Sequence, residues 1–129
     1  MEPKIKVLEE VSQYLNREWF VFGSMGLKLK GLNVEPDDVD IWTTDENAEK
    51  LREAFSDKLV KTTEVGNGPT SDVDVYQING EELEVLYGNQ YIDFTETEET
   101  QGFPVPKDQA FAEMYQIIGE EEKAEKLTS

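Results

Sequence analysis

Residues 19–45 read WFVFGSMGLKLKGLNVEPDDVDIWTTD, and this stretch carries the clearest structural pattern in the chain. It begins with four apolar residues bounded by Gly23, which is typical of a buried strand. Ser24 is then predicted to cap a helix through Leu32, and a second strand follows through Thr44. Backbone N–H groups at such a helix start, together with the Ser24 hydroxyl, favour a phosphate group.

The second strand carries an acid-x-acid pair. Because side chains alternate along a strand, Asp38 and Asp40 project from one face, whereas Val39 and Ile41 enter the core from the other. A Gly-Ser pair alone is more often an ordinary turn, and an acid-x-acid pair alone is more often a solvated strand end. Their order and spacing favour a site that holds a nucleoside triphosphate and its metal ion between adjacent elements.

Composition restricts the chemistry. The chain of 129 residues predicts one domain, 1–129, and contains no cysteine and no histidine. Disulfides, thiolate zinc sites, imidazole bases and histidine-ligated metals are therefore excluded, which leaves carboxylates and oxygen-preferring ions such as Mg²⁺ or Mn²⁺. No apolar run approaches the roughly 20 residues that span a membrane, so we expect a cytoplasmic protein without membrane contact.

The chain is strongly acidic, with 29 acidic and 12 basic residues and a formal net charge of −17. This charge disfavours binding to nucleic acid. The lysines are scattered, and Lys4, Lys6 and Lys30 are interpreted as solvated helix positions. Lys28 is different because it lies one turn after Ser24, from where it can reach a phosphate.

The remaining pattern predicts an α/β (α+β) fold, with a mixed β-sheet flanked by helices. Amphipathic periodicity and turn residues place the elements. The expected helices are 3–17, a helix capped by Asp45 that runs to about residue 56, 110–118 and 120–127; the expected strands are 59–64, 73–78 and 82–87. Residues 88–102 are predicted to be a mobile excursion, and 103–106 to re-enter the core.

A third acid is expected on the hairpin, because nucleotidyl transfer with two metal ions uses three carboxylates. With a two-residue turn at Asn79-Gly80, Val75 lies opposite Glu84 and Asp74 lies opposite Val85. Asp74 and Glu84 then point to opposite faces, so only one of them reaches the site. Composition does not choose between them.

Collinear motifs extend over more than four fifths of the chain. They are Gly23-Ser24, Gly31, Val34-Glu35-Pro36, Asp38-Val39-Asp40-Ile41, Thr44-Asp45, the segment around Ser71, Asn79-Gly80, Glu84-Val85 followed by Gly88, Tyr115, Gly119 and Glu122-Lys123-Ala124. In this order the chain resembles the minimal nucleotidyltransferases, the stand-alone single-domain prokaryotic group of the DNA polymerase beta-like superfamily.

The resemblance implies a nucleotidyltransferase-like fold with two short C-terminal helices. It implies that Gly23 and Ser24 hold the triphosphate and that Asp38 and Asp40 hold the metal ions. It also favours Glu84 over Asp74 as the third catalytic carboxylate. Ser71 and Lys123 match positions at the nucleotide cleft of the family, and they complete the expected nucleotide-binding set together with Lys28.

The expected function is Mg²⁺-dependent transfer of a nucleoside monophosphate from a nucleoside triphosphate, with ATP favoured, to an unidentified hydroxyl acceptor. Two departures from the family concern cations. Glu120 follows Gly119 where many relatives carry arginine, and Thr70 precedes Ser71 where many carry a basic residue. A second hypothesis therefore stays open, in which a weakly active or inactive protein of this fold acts as an antitoxin-like, protein-binding module. A homodimer that completes the acceptor site is also compatible with the sequence.

Overall fold

A computed structural model describes residues 2–63, 72–88 and 94–117. In chain order, the described elements are α1 (Glu2–Ser12), β1 (Trp19–Phe22), α2 (Gly23–Leu29), β2 (Val39–Thr43), α3 (Asp45–Ala54), a 3₁₀ turn (Ser56–Lys58), β3 (Leu59–Thr63), β4 (Asp72–Ile78), β5 (Glu81–Tyr87), β6 (Thr97–Thr100), β7 (Phe103–Pro106) and α4 (Asp108–Ile117).

Five strands form the main sheet in the order β1-β2-β5-β4-β3. Strands β2 and β5 are parallel and the other neighbours are antiparallel, so the predicted mixed sheet is confirmed. Strands β6 and β7 form a separate antiparallel pair. The fold is a mixed α+β arrangement with helices on both sides of the sheet.

The two faces of the sheet are covered by different helices. On one face, α1 and α3 cover strand residues such as Val21, Ile41 and Val85, all of which are fully buried. On the other face, α4 packs its Phe111 ring against Phe22. Because side chains alternate along each strand, Asp40 and Phe22 share this second face, and the acidic site lies next to α4 rather than next to α1 and α3.

The hairpin has the predicted register. Asn79 and Gly80 both take positive φ, 53° and 81°, as a type I′ turn requires. Val75 therefore pairs with Glu84, and Asp74 pairs with Val85. The expectation that Asp74 and Glu84 lie on opposite faces is confirmed.

Helix α2 is shorter than predicted because Gly31 ends it. Gly31 takes φ +94°, its N–H bonds the Lys28 carbonyl, and the N–H of Leu32 bonds the Leu27 carbonyl, which is the Schellman pattern. The helix therefore stops at Leu29 instead of Leu32.

The predicted helix caps were also wrong. Ser24 lies inside the first turn of α2, and the N-cap position is Phe22, whose side chain cannot accept a hydrogen bond. In α3 the cap is Thr44 rather than Asp45, because the Thr44 hydroxyl accepts a bond from the Asn47 backbone N–H at 3.2 Å.

Two further regions differ from the prediction. Helix α1 ends at Ser12 instead of residue 17, and the chain then turns at Asn16, whose side chain accepts a bond from the Glu18 N–H at 2.8 Å. Part of the predicted 88–102 excursion is strand β6, which pairs with β7. The predicted helix at 120–127 lies outside the described residues.

Candidate active site

Three carboxylates converge on the face of the sheet that packs against α4. Asp38 immediately precedes β2, Asp40 lies in β2, and Glu84 lies directly beside Asp40 on the parallel strand β5. One oxygen of each carboxylate lies within 4.8 Å of the others. All three residues are partly buried. The parallel pairing of β2 and β5 thus brings together acids that are more than 40 residues apart in the sequence.

Asp40 is in the least favourable electrostatic environment. Its Oδ1 is buried and has no hydrogen-bond partner among the described residues. Burial, the neighbouring Asp38 charge and a contact with Glu84 raise the pKa of Asp40 to about 8. Burial and Glu82 also raise the pKa of Asp38, against a smaller opposing effect of Lys4. Closely spaced carboxylates with an unpartnered buried oxygen fit an oxygen-preferring divalent cation such as Mg²⁺ or Mn²⁺.

The Gly23-Ser24 turn packs directly against this acidic group. Gly23 takes φ +63°, in the left-handed region that favours glycine, and a Cβ at this position would collide with Oδ2 of Asp40. Glycine is thus needed both for the backbone conformation and for the close approach to the carboxylate. Ser24 follows in the first turn of α2 and is partly exposed.

The other predicted nucleotide-binding residues are distributed differently. Lys28 lies on α2, partly exposed, and no ion pair joins it to another described residue. Ser71 and Lys123 lie outside the described residues, so their placement at the cleft stays a prediction.

Asp74, the alternative third acid, lies on the opposite face and is fully buried. Arg52 on α3 donates to its Oδ2 from Nη2 at 2.8 Å and from Nε at 3.2 Å. The hydroxyls of Thr62 and Tyr87 donate to its Oδ1 at 2.9 and 3.1 Å. Asp74 is therefore a fully bonded structural acid that joins α3 to the sheet.

Sequence reasoning missed Glu82 as a neighbour of the site. Val39 pairs with Leu83 on the parallel strand, so the preceding residues, Asp38 and Glu82, also lie side by side. The Glu82 charge contributes to the raised pKa of Asp38. The alternation of acids at Glu82 and Glu84 was the available signal, since it places both on one face of a strand.

The sequence model of the aminoglycoside-2''-adenylyltransferase family matches residues 4–122, which is most of the chain. The chain belongs to this family. The predicted relation to the minimal nucleotidyltransferases is thereby confirmed, and family and fold together support a transferase. No curated protein sequence is significantly similar to the chain.

Two solved structures are similar to this member of the aminoglycoside-2''-adenylyltransferase family. TM1012 of Thermotoga maritima, provisionally named a nucleotidyltransferase, is 26% identical with a TM-score of 0.73, over 96% of this chain and 89% of that chain. ANT(2'')-Ia in complex with adenylyl-2''-tobramycin is 12% identical with a TM-score of 0.54, over 96% of this chain and 92% of that chain. The second likeness concerns the fold alone.

The family assignment agrees with the other features of the described residues. None of the described helices is long and apolar enough to cross a membrane. The acids that converge in the structure, Asp38, Asp40 and Glu84, are those that the sequence motifs predict for a nucleotidyltransferase of this family.

Proposed function

We propose that the protein is a Mg²⁺-dependent nucleotidyltransferase that transfers a nucleoside monophosphate from a nucleoside triphosphate to a hydroxyl acceptor. The observation that carries this proposal is the convergence of Asp38, Asp40 and Glu84 around a buried, unpartnered oxygen, with the Gly23 turn packed against them. ATP is the favoured donor, because the family is one of adenylyltransferases.

Asp38 and Asp40 are proposed to hold the metal ion. In the metal-free protein the pKa values of both carboxyl groups are raised, because burial and like charges disfavour their ionised forms. A divalent cation reverses this preference, since it supplies the opposite charge at the same place. When bound, Mg²⁺ neutralises charge that develops on the phosphate oxygens during transfer. Mn²⁺ satisfies the same oxygen ligands.

Glu84 is proposed to act on the acceptor. In the reaction, the acceptor hydroxyl oxygen forms a bond to the α-phosphorus, the bond from that phosphorus to the oxygen bridging to the β-phosphate breaks, and pyrophosphate leaves. Glu84, on the strand beside Asp40, receives the hydroxyl proton or supplies a further metal ligand.

The Gly23-Ser24 turn and Lys28 are proposed to hold the leaving phosphates. The turn lies against the Asp40 carboxylate at Gly23, Ser24 follows in the first turn of α2, and Lys28 lies one helical turn further along the helix. Ser71 and Lys123 are proposed as additional phosphate contacts on the grounds of the family resemblance alone. Positioning of the two reacting groups is the main contribution that such contacts make to the rate.

The formal charge of −17 favours a second candidate function. In this alternative, the protein is a weakly active or inactive member of the family that docks a basic protein partner through its acidic surface. It predicts co-purification with a basic protein and no response to metal-bound nucleotide.

An amide NMR titration of the labelled protein distinguishes these functions. Mg²⁺ complexes of ATP, CTP, GTP and UTP are added in turn, and each titration is repeated without Mg²⁺ and with Asp40→Asn. The proposal predicts metal-dependent shifts at Gly23, Ser24, Asp40 and Glu84 that are lost in the variant. Spectra that stay unchanged at millimolar nucleotide would contradict the proposal and favour the protein-binding module.

A further inference from the structure

Helix α2, which begins with the proposed phosphate-binding turn, is intrinsically weak. It has 7 residues, two of them glycine, and its N-cap residue Phe22 provides no side-chain cap. Glycine disfavours a helix by about 1 kcal/mol relative to alanine, and isolated helices shorter than about 12 residues are marginal in water. The orientation of α2 must therefore be set by contacts with other elements.

The ion pairs among these contacts are made by Lys30, the C-cap residue of α2. Its Nζ lies 2.8 Å from Oε1 of Glu98 on β6 and 2.7 Å from Oδ1 of Asp108, the first residue of α4. The Lys30 side chain is only 5% exposed, whereas its two partners are 50% and 63% exposed. The Gln101 side chain adds a bond to the Leu29 carbonyl at 2.9 Å. The C-terminal end of α2 is thus joined to the β6–β7 hairpin and to α4.

The middle of α2 packs closely against α4 and β1. A Cβ on Gly26 would lie 3.0 Å from the Phe111 ring of α4 and 2.9 Å from the Val21 carbonyl oxygen, so the helix packs closely on both. Phe111 also stacks on Phe22, with ring centroids 4.9 Å apart, and Phe22 pairs with Asp40 across the sheet. Helix α4 therefore contacts both α2 and Phe22, the residue that precedes the proposed phosphate-binding turn.

We propose that Lys30 is a positioning residue for the nucleotide. By bonding Glu98 and Asp108, it holds α2 in the orientation that places the Gly23-Ser24 turn correctly against the carboxylates. The inference rests on the proposed function, because it assumes that the turn contacts the phosphates. The Lys30 ammonium is already engaged by two carboxylates, so its effect is exerted through α2 and not by direct contact with a phosphate.

The geometry makes this effect sizeable. A seven-residue helix is about 10 Å long, so a tilt of about 6° at the Lys30 end moves the turn by about 1 Å. A misplacement of that size can reduce the rate of an enzyme by up to about 100-fold. Asp40 and Glu84 lie on β2 and β5 and Asp38 immediately precedes β2, whereas the ion pairs of Lys30 are to β6 and α4, so metal binding without nucleotide should be insensitive to this residue.

The decisive variants break the contacts of Lys30 in two ways. Lys30→Met keeps the apolar stem and leaves Glu98 and Asp108 largely in solvent, so the fold should be retained. The double variant Glu98→Gln with Asp108→Asn keeps the lysine but removes both ion pairs. Lys50→Met is the matched control, because it makes the same change in net charge at an exposed helical pair, with Nζ 3.7 Å from Glu46.

Two affinities are measured for each protein: Mn²⁺ alone, by electron paramagnetic resonance, and Mg-ATP, by calorimetry. The inference predicts that Lys30→Met binds Mg-ATP about tenfold more weakly, whereas its Mn²⁺ affinity stays within about twofold of wild type. Lys50→Met should match wild type in both measurements. The double variant should also weaken Mg-ATP binding, although its loss of two negative charges alone would strengthen the binding of an anion.

Failure of the positioning role and failure of the proposed function give different results. Wild-type affinity for Mg-ATP in Lys30→Met would overturn the inference and leave the proposed function intact. Weaker binding in Lys30→Met together with tighter binding in the double variant would show that Lys30 acts by its charge, which also overturns the inference. If the wild-type protein binds neither Mn²⁺ nor Mg-ATP, the proposed function fails, and the positioning role fails with it.

Discussion

Asp74 and Glu84 lie on paired strands of one hairpin, yet their surroundings are opposite. Asp74 is fully buried against α3 and accepts bonds from Arg52, Thr62 and Tyr87. Glu84 is partly buried on the other face, where its carboxylate lies within 4.8 Å of those of two further acids, Asp38 and Asp40. The two acids lie at adjacent positions of the β4–β5 register, and side chains at adjacent positions point to opposite faces of the sheet.

The difference shows how to tell a structural acid from a candidate catalytic one. The carboxylate of Asp74 has its hydrogen bonds and counter-charge within the fold, so nothing further is needed to stabilise it. The acids near Glu84 repel one another and leave Oδ1 of Asp40 without a partner among the described residues. Such an arrangement is unfavourable in the protein alone and becomes favourable when a cation is bound, which is typical of a functional site.

The largest expected effect is that of Asp40→Asn. Loss of a direct ligand should weaken Mn²⁺ binding by at least about 100-fold, since even the residues behind metal ligands contribute about 10–100-fold. The same change should stabilise the metal-free protein above about pH 5, because folding of the wild type requires Asp40 to take up a proton and asparagine does not. Mn²⁺ titration and urea denaturation in EDTA measure the two effects. Asp57→Asn, at a residue whose side chain is 77% exposed, is the charge-matched control and should leave both unchanged.

The second prediction concerns pH. The folded-state pKa of Asp40 is about 8 and the ordinary value is 3.8, so between these values the folded protein holds a proton that the unfolded chain has released. Stability should then fall as pH rises, by about 1.4 kcal/mol per unit at most, or about 3 kcal/mol between about pH 5 and pH 7. Urea denaturation in EDTA measures this slope.

Saturating Mg²⁺ and the Asp40→Asn substitution should each flatten that pH dependence, because the raised pKa of Asp40 comes from burial and from neighbouring charges, and in neither case does residue 40 take up a proton on folding. If the free energy of unfolding without metal instead rises from about pH 5 to pH 7, the raised pKa of Asp40 is contradicted.

Asp74→Asn should act in the opposite direction. It disrupts the bonds to Arg52, Thr62 and Tyr87 and should destabilise the protein by about 2–3 kcal/mol. Mn²⁺ affinity should stay within about twofold of wild type, because Asp74 faces away from the site. The sign of the stability change is the sharpest contrast with Asp40→Asn. A loss of metal affinity in folded Asp74→Asn would show that the two faces are not independent.

Gly23→Ala should have intermediate effects on stability and on Mn²⁺ affinity. Alanine at φ +63° is strained by about 1–2 kcal/mol, and its Cβ would press against the Asp40 carboxylate. Stability should fall by about that amount and Mn²⁺ affinity should fall with it. Gly80→Ala is the control, because it has a similar positive φ of 81° with no atom within 4 Å of its Cβ. It should therefore lose stability but keep its metal affinity.

The smallest expected effect is that of Tyr87→Phe. The hydroxyl donates to Asp74 and accepts from Arg52 at 2.7 Å, and its loss should destabilise the protein by about 1 kcal/mol. Thermal unfolding followed by circular dichroism measures the change. Mn²⁺ binding should be unaffected. A change in Mn²⁺ affinity would contradict the claim that the two faces of the sheet act independently.

Local signals in the sequence predicted much of this arrangement. Asn79-Gly80 specifies a type I′ turn, which fixes the register of β4 and β5 and therefore places Asp74 and Glu84 on opposite faces. The apolar run before Gly23 predicted β1, and the alternation of acidic and apolar residues around Asp38 and Asp40 predicted β2. The roles of the acids remain predictions until binding is measured.

The errors occurred where long-range contacts decide the structure. Strand β6 reads Thr-Glu-Glu-Thr and has no apolar alternation, so only its pairing with β7 makes it a strand. Lys30 was interpreted as a solvated lysine, whereas its partners Glu98 and Asp108 lie 68 and 78 residues away in the sequence. Neither contact leaves a local signal, because each depends on how distant elements pack.

The central claim is that Asp38, Asp40 and Glu84, and not Asp74, form a divalent metal site. Crystals of the protein grown with Mn²⁺ and measured at its absorption edge test this claim directly. An anomalous peak between the oxygens of these three carboxylates is the predicted result. Mn²⁺ bound elsewhere on the protein, with no peak between them, would contradict it.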